Sequence, residues 1–150
     1  MKISTRVELG IVALADIAIN SENGDTVSYS EVAARQGISQ KYLEQIIVGL
    51  RQGGFVKGHK GLGGGYKLAR PANKINISEI LNALDNTILA DTYEDNDDND
   101  NSIRSSVNSC LWDKFNGYMR RFTEQMTLED LIKECRENSE DKEKYLMYYI

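Results

Sequence analysis

The sequence predicts a mainly α fold with a small β-hairpin, followed by a long helix that pairs two copies. Three observations predict it. Two helical segments flank Gly37-Ile38-Ser39, and two short strand-like runs flank Gly61-Leu62-Gly63-Gly64-Gly65. Farther on, Trp112, Phe115, Met119, Phe122 and Met126 recur at intervals of three and four, the spacing of an a/d helix seam.

The first helix is expected from about Ser4 to Asn20, because Val7, Ile11, Leu14, Ala15 and Ala18 form one apolar stripe. Ser21 to Asp25 is polar, with Asn and Gly, and reads as a loop. Ser28 stands three residues before Glu31, so its hydroxyl and the Glu31 carboxylate can each satisfy an orphan N–H at a helix start. Gly37 ends that second helix and Ser39 caps the next. Ala33 lets the two helices approach, and Ile38 plugs the gap between them. This is the spacing of a helix-turn-helix, whose second helix normally enters the DNA major groove.

The third helix, about Gln40 to Gln52, turns Leu43, Ile46, Ile47 and Leu50 inward and Gln40, Lys41, Glu44, Gln45 and Arg51 outward. Gln can bond adenine, Glu can accept from cytosine, and Lys or Arg can grip guanine or phosphate. Tyr42 can donate to a phosphate. Phe55 to Lys57 and Tyr66 to Ala69 then read as the strands of a hairpin wing. Its glycine tip is no nucleotide-binding loop, since no Lys-Ser/Thr follows it. Gly63 and Gly64 instead let backbone approach the DNA, beside His59 and Lys60.

Charge supports this reading. The chain carries a net charge of −5, but residues 35–74 hold Arg35, Lys41, Arg51, Lys57, Lys60, Lys67, Arg70 and Lys74 against Glu44 alone. A cationic segment within an acidic protein is the footprint of a bound polyanion. A merely solvated face is the alternative. Paired carboxylates, a nucleophile with its base and a metal-ligand cluster are all missing from this segment, so an enzyme is not expected.

Asn76 to Leu84 starts at a capping Asn and predicts a helix that packs on the first one. Asp91 to Asn101 is dominated by Asp and Asn and predicts a flexible loop. It lacks the Gly and Glu positions of a calcium-binding EF-hand loop. The large apolar seam that follows has little of its own chain to pack on, so Trp112, Phe115, Met119, Phe122 and Met126 are expected to form a homodimer. Thr127 is expected to cap a short helix ending at Cys135. The domain reading is therefore 1–90 for a winged helix-turn-helix, 91–104 for a flexible acidic loop, and 105–150 for the dimerisation helix and C-terminal segment. No stretch is apolar enough to span a bilayer, Met1-Lys2-Ile3-Ser4 opens no signal peptide, and two cysteines make no disulfide framework. A cytoplasmic location is expected.

Several runs together resemble the IscR/CymR/NsrR family of bacterial winged-helix regulators. They are Met1-Lys2-Ile3-Ser4-Thr5, Lys41-Tyr42-Leu43-Glu44-Gln45-Ile46, Leu50-Arg51, Gly54-Phe55-Val56, Gly61 to Ala69, and Thr127-Leu128-Glu129-Asp130-Leu131. The resemblance implies a dimer on a palindromic double-stranded operator, usually as a repressor. It places Gln40, Lys41, Tyr42, Glu44, Gln45 and Arg51 where the family reads DNA, and Gly63 and Gly64 at the wing tip; the neighbouring Ser39 is a further DNA-binding candidate. The family usually continues Ser-Thr with Lys-Gly-Arg-Tyr, whereas this chain has Arg6-Val7-Glu8-Leu9. Arg6 keeps a candidate phosphate contact while Glu8 reverses a charge.

Iron-sulfur members of the family carry three cysteines near the acidic loop. Here only Cys110 stands nearby, so no cluster or other cofactor is expected. Cys110 and Cys135 are read as packed small residues, with a redox-sensing thiol as the alternative. The aromatic end, Tyr145 to Ile150, resembles that of the family's cysteine-metabolism repressors. That likeness implies cysteine synthase (O-acetylserine sulfhydrylase) as a partner, the alternative being a tail that packs back on the dimer. A winged helix that binds only protein is the remaining alternative function.

Overall fold

The computed structural model describes residues 3–91 and 102–149. Helix α1 (Thr5–Asn20) lies at the centre of the fold, with α2 (Tyr29–Gln36), α3 (Gln40–Gln52), α4 (Ile77–Leu84) and the start of α7 (Leu128–Tyr148) packed around it. Ser4 caps α1 through its hydroxyl, and Glu8 sits exposed in the first turn, where the helix dipole favours a carboxylate. Because α1 has neighbours on several sides, its buried set is wider than a single stripe. Val7, Gly10, Ala13, Leu14, Ile17 and Ala18 are buried, whereas Ile11 and Ala15 are only partly covered.

The turn between α2 and α3 follows from its residues. Ser28 and Glu31 form the reciprocal cap expected of them, and Gly37 takes φ 64°, a left-handed conformation that side chains resist, while its N–H bonds the Ala33 carbonyl. Ser39 caps α3 by accepting from the Tyr42 N–H at 3.2 Å. Ala33 and Ile38 are both buried at the junction. Leu43, Ile46, Ile47 and Leu50 enter a core that also holds Phe55, Val56, Ile75, Ile80 and Leu84. Each such side chain contributes roughly 1.5–3 kcal/mol on burial.

The hairpin pairs β1 (Val56–His59) with β2 (Gly65–Leu68), antiparallel, with Lys57 opposite Lys67 and His59 opposite Gly65. An unanticipated third strand segment joins it. Val27 exchanges backbone hydrogen bonds with Tyr66 at 2.9 and 2.7 Å, which ties the wing to the α1–α2 loop. A Cβ at Gly65 would stand 2.8 Å from the Val27 carbonyl, so only glycine allows this approach. The Thr26 hydroxyl adds a bond to the Gly63 carbonyl.

The apolar 11-residue run in α1 is interrupted by Asp16, and the structure explains why. Asp16 is buried and accepts from Arg35 Nη2 at 2.7 Å, Arg35 Nε at 3.0 Å and Gln36 Nε2 at 2.7 Å. Burial pushes its carboxyl upward, but the Arg35 and Gln36 hydrogen bonds, the Arg35 charge and a bond from Asn20 outweigh that and leave it below the ordinary carboxylate range. Arg35 thus joins α2 to α1 and is not part of a free cationic surface. Arg70 is likewise held by the Lys74 carbonyl and Glu79, and lies over the Phe55 ring.

Asn76 caps α4 as expected. Beyond residue 91 the structure departs from expectation. The Asp/Asn run over 92–101 lies outside the described residues, but helix begins at Ser102. It proceeds as α5 (Ser102–Val107), a π-helical turn (Asn108–Trp112) and α6 (Asp113–Gln125). Met126 takes an extended conformation, leaves the helix and packs on the core, so it does not continue the seam. Its carbonyl accepts from Ile77 N–H at 2.9 Å, while Leu128 N–H donates to Ile75 O at 2.8 Å.

Thr127 and Asp130 form a capping box, but α7 runs 21 residues to Tyr148 and does not stop near Cys135. Nothing in 128–148 breaks a helix: there is no Gly or Pro, and Glu129/Lys133, Lys133/Glu137 and Glu140/Lys144 stand at the favourable spacing of four. Its first turns belong to the winged-helix core, where Leu128 and Ile132 are buried, and Arg136 pairs with Glu22. Among the described residues, no helix is long and apolar enough to cross a membrane.

Candidate nucleic-acid interface

The helix-turn-helix leaves one long face of α3 uncovered. Gln40, Lys41, Glu44, Gln45 and Arg51 are exposed on it, with Ser39 at its N-terminal end. Tyr42 is half-buried, with its side chain packed against the core. Val48, not singled out from the sequence, interrupts the polar face with an exposed apolar group of the kind that can meet a thymine methyl.

On one flank, α3 meets the wing. Arg51, His59, Lys60, Gly61 and Gly64 line an open cleft with Ser28, Tyr29 and Tyr66. This brings a recognition-helix cation beside two wing residues that are basic or titratable. Gly63 lies elsewhere: it lines a neighbouring cleft with Asp25, Thr26, Glu31 and Arg35, its carbonyl held by Thr26. Gly63 and Gly64 therefore stand on different sides of the wing tip. Leu62, between Gly61 and Gly63, is fully exposed there and was missed because a lone leucine in a loop carries no charge or period. On the other flank, Arg6 reaches from α1 onto α3, with its guanidinium against Gly49.

The expected dimer seam is divided. Trp112, Phe115 and Met119, with Asn116, line a cavity of about 240 Å³ against Ile88, Leu89 and Ala90 of the same chain. Arg120 secures that segment through the Leu89 carbonyl and Asp91. Phe122 lies outside that cavity, in an exposed stripe with Val107, Leu111, Phe115 and Tyr118, spaced by fours and a three; Tyr118 and Phe122 are 66% and 59% exposed, and Trp112 and Phe115, although they line the cavity, are also exposed in part. Val107, Leu111 and Tyr118 escaped the sequence reading, which followed the heavier 112-115-119 frame. Tyr145, Leu146, Met147, Tyr148 and Tyr149 at the end of α7 are also exposed.

The two cysteines are not both packed. Cys110 is exposed in the π-helical turn, and Cys135 is partly buried on α7.

A helix-turn-helix with an exposed polar recognition face and a basic wing defines a DNA-binding transcriptional regulator. The chain belongs to the Rrf2 family, described as an iron-dependent transcriptional regulator, whose pattern matches residues 3–134. It is 41% identical over 136 residues to the HTH-type transcriptional regulator IscR of Cereibacter sphaeroides, a match covering 89% of this chain and 88% of that one. Among solved structures it is similar to CymR (YrzC), the global cysteine regulator of B. subtilis, with TM-score 0.75, 28% identity, and 89% and 97% of the two chains covered. It is also similar to T. potens IscR, with TM-score 0.73, 33% identity, and 92% and 90% covered. These relatives are regulators and not enzymes.

The family description raises the question of iron. A thiolate-held cluster needs several cysteine ligands or substitutes. This sequence has two cysteines and one histidine, and the described residues place them on the π-helical turn, α7 and the wing. No group of three or more His, Cys, Asp or Glu side chains that could hold a metal occurs among the described residues. This donor set does not fit a cysteine-ligated cluster.

Proposed function

We propose that the protein is a homodimeric repressor that reads a palindromic operator with α3 and steadies itself on the phosphates with the wing. The observation that carries this reading is the continuity of the exposed α3 face with the cleft of Arg51, His59 and Lys60. In this arrangement Gln40, Glu44 and Gln45 face base edges, and Arg6, Lys41, Arg51, His59 and Lys60 face phosphates, with the Ser39 and Tyr42 hydroxyls beside them. Gly63 and Gly64 shape the wing tip. Dimerisation through the exposed α5–α6 stripe would set two α3 helices about one DNA turn apart.

Binding to DNA fragments carrying the protein's own promoter tests this. Affinity is expected to fall steeply with salt as phosphate contacts release counterions. Lys60→Ala is expected to weaken binding to specific and unrelated duplexes alike. Gln45→Ala is expected to change the preferred base, with roughly 1–3 kcal/mol of discrimination at stake. Equal losses on every sequence for both variants would overturn these roles.

The genes under control are proposed to include those of cysteine or sulfur metabolism. Support comes from the similarity to the B. subtilis cysteine regulator, the misfit of the cysteine set to a cluster, and the exposed aromatic end of α7. Cysteine synthase is the corresponding partner proposed for that end. Mixing the two purified proteins at varied O-acetylserine should give co-elution and a changed operator affinity; neither effect would remove the partner.

A further inference from the structure

We propose that Gly49 is a positioning residue for DNA binding: it seats the Arg6 guanidinium against α3 so that this cation flanks the recognition face. The inference rests on the reading of α3 as the DNA-facing helix. Gly49 lies in the last turn of α3, where glycine is a poorer helix former than alanine. Its backbone does not require glycine, since it is not among the residues with positive φ. The reason for it lies in what its missing side chain admits. A Cβ at this position would stand 2.8 Å from Arg6 Nη2 and 3.9 Å from Arg6 Cζ. Adjoining residues and the helix's own backbone aside, these are the only atoms of the described residues within 4 Å. The vacant space is thus filled by one group, a guanidinium brought from the first turn of a different helix.

The placement follows from helix geometry. Gly49 is one turn beyond Gln45 and three residues before Gln52; it is buried together with Leu43, Ile46, Ile47 and Leu50, but at the margin of that stripe, next to the exposed face. Arg51 occupies the opposite flank, against the wing. Arg6 and Arg51 therefore bracket the polar face, one supplied by α1 and one by α3 itself. A methyl group at position 49 would push the Arg6 head outward, and because that head is the end of a flexible side chain, the fold would not suffer. Arg6 also lies by the last turn of α3, where the helix dipole attracts a cation, so a purely structural role is the competing explanation.

The two roles separate by experiment. Binding of the full chain to an operator-bearing duplex and to an unrelated duplex is measured by fluorescence anisotropy across a salt series, alongside thermal unfolding. Arg6→Ala is expected to weaken both duplexes about equally and to reduce the salt slope by about one phosphate contact. Gly49→Ala is expected to reproduce most of that loss alone and to add nothing in the Arg6→Ala background. Its unfolding temperature should be unchanged or higher, because alanine is the better helix former. Wild-type affinity in Gly49→Ala, or an equal loss in both backgrounds, would overturn the proposal. If Lys41→Ala and Lys60→Ala weaken binding while Gly49→Ala does not, only the seat fails. If none of the three does, the DNA-facing reading fails with it.

Discussion

In the proposed dimer, Phe122→Asp is expected to leave a monomer at micromolar concentration without unfolding the chain. Phe122 is 59% exposed on α6 and lies in the stripe that runs through Val107, Leu111, Phe115 and Tyr118. An exposed apolar row of this length on a single helix is unusual for a surface that stays in water. Placing a carboxylate within a self-complementary apolar contact would bury two unpaired like charges, one from each copy. Losses at aromatic anchors of such a contact run to about 2–4 kcal/mol, roughly 30- to 1,000-fold in the dissociation constant. Operator affinity should fall with it, because a monomer engages only one half-site. Analytical ultracentrifugation checks the first effect and DNA binding the second. A dimer undiminished by Phe122→Asp would move the interface elsewhere, with the exposed end of α7 next in line.

Arg35→Ala is expected to destabilise the fold by about 2–3 kcal/mol at neutral pH. Removing one member of a buried pair commonly costs 3–5 kcal/mol because the other charge is left without compensation. Here the estimate is lowered, since the Arg35 side chain is 39% exposed and Asp16, only 1% exposed, keeps Gln36 and Asn20 as partners. For a chain of this size the shift in Tm is about 5–10 °C. In the intact protein, Asp16 titrates below its ordinary range, so its contribution is present above the pKa of an unfolded Asp and is lost as pH falls through the folded value. Without the Arg35 hydrogen bonds and charge, only Gln36 and Asn20 oppose the upward push of burial, so Asp16 is more readily protonated in the variant than in the intact protein, and protonation relieves the variant. The gap in Tm between the two proteins should therefore be widest near neutrality and close as the pH falls below about 4. Thermal unfolding over a pH series reads this directly, and a gap independent of pH would show that Arg35 acts through packing alone.

The features legible in the sequence were the local ones. Ser28 with Glu31, Gly37, Ser39, Asn76 and Thr127 each act within four residues of themselves, so the helix starts and the turn between α2 and α3 could be placed from chemistry alone. The wing was legible because two short strands and a glycine tip are also a local pattern. What remained hidden depended on residues far apart in the chain. The position of Asp16 in an apolar run gave no sign that Arg35, 19 positions on, neutralises it. Val27 gave no sign of pairing with Tyr66, and Leu128 and Ile132 gave none of completing a core built mostly from residues before 85.

The interface shows the same division. The exposed side of α3 followed from helical periodicity. The separation of Gly63 from Gly64 and the contact of Arg6 with Gly49 required three dimensions. The apolar seam was recognised as a feature, but its members were sorted only by the structure. Some turn toward Ile88 to Ala90, Met126 leaves the helix, and Tyr118 with Phe122 remains uncovered.

The most direct test of the account is a hydroxyl-radical footprint of the full-length protein on genomic fragments that it retains at moderate salt. Two protected half-sites related by a dyad and centred about one helical turn apart are predicted, with protection lost as salt rises. Retention of no fragment at low salt, or a single unpaired footprint that salt does not weaken, would contradict it.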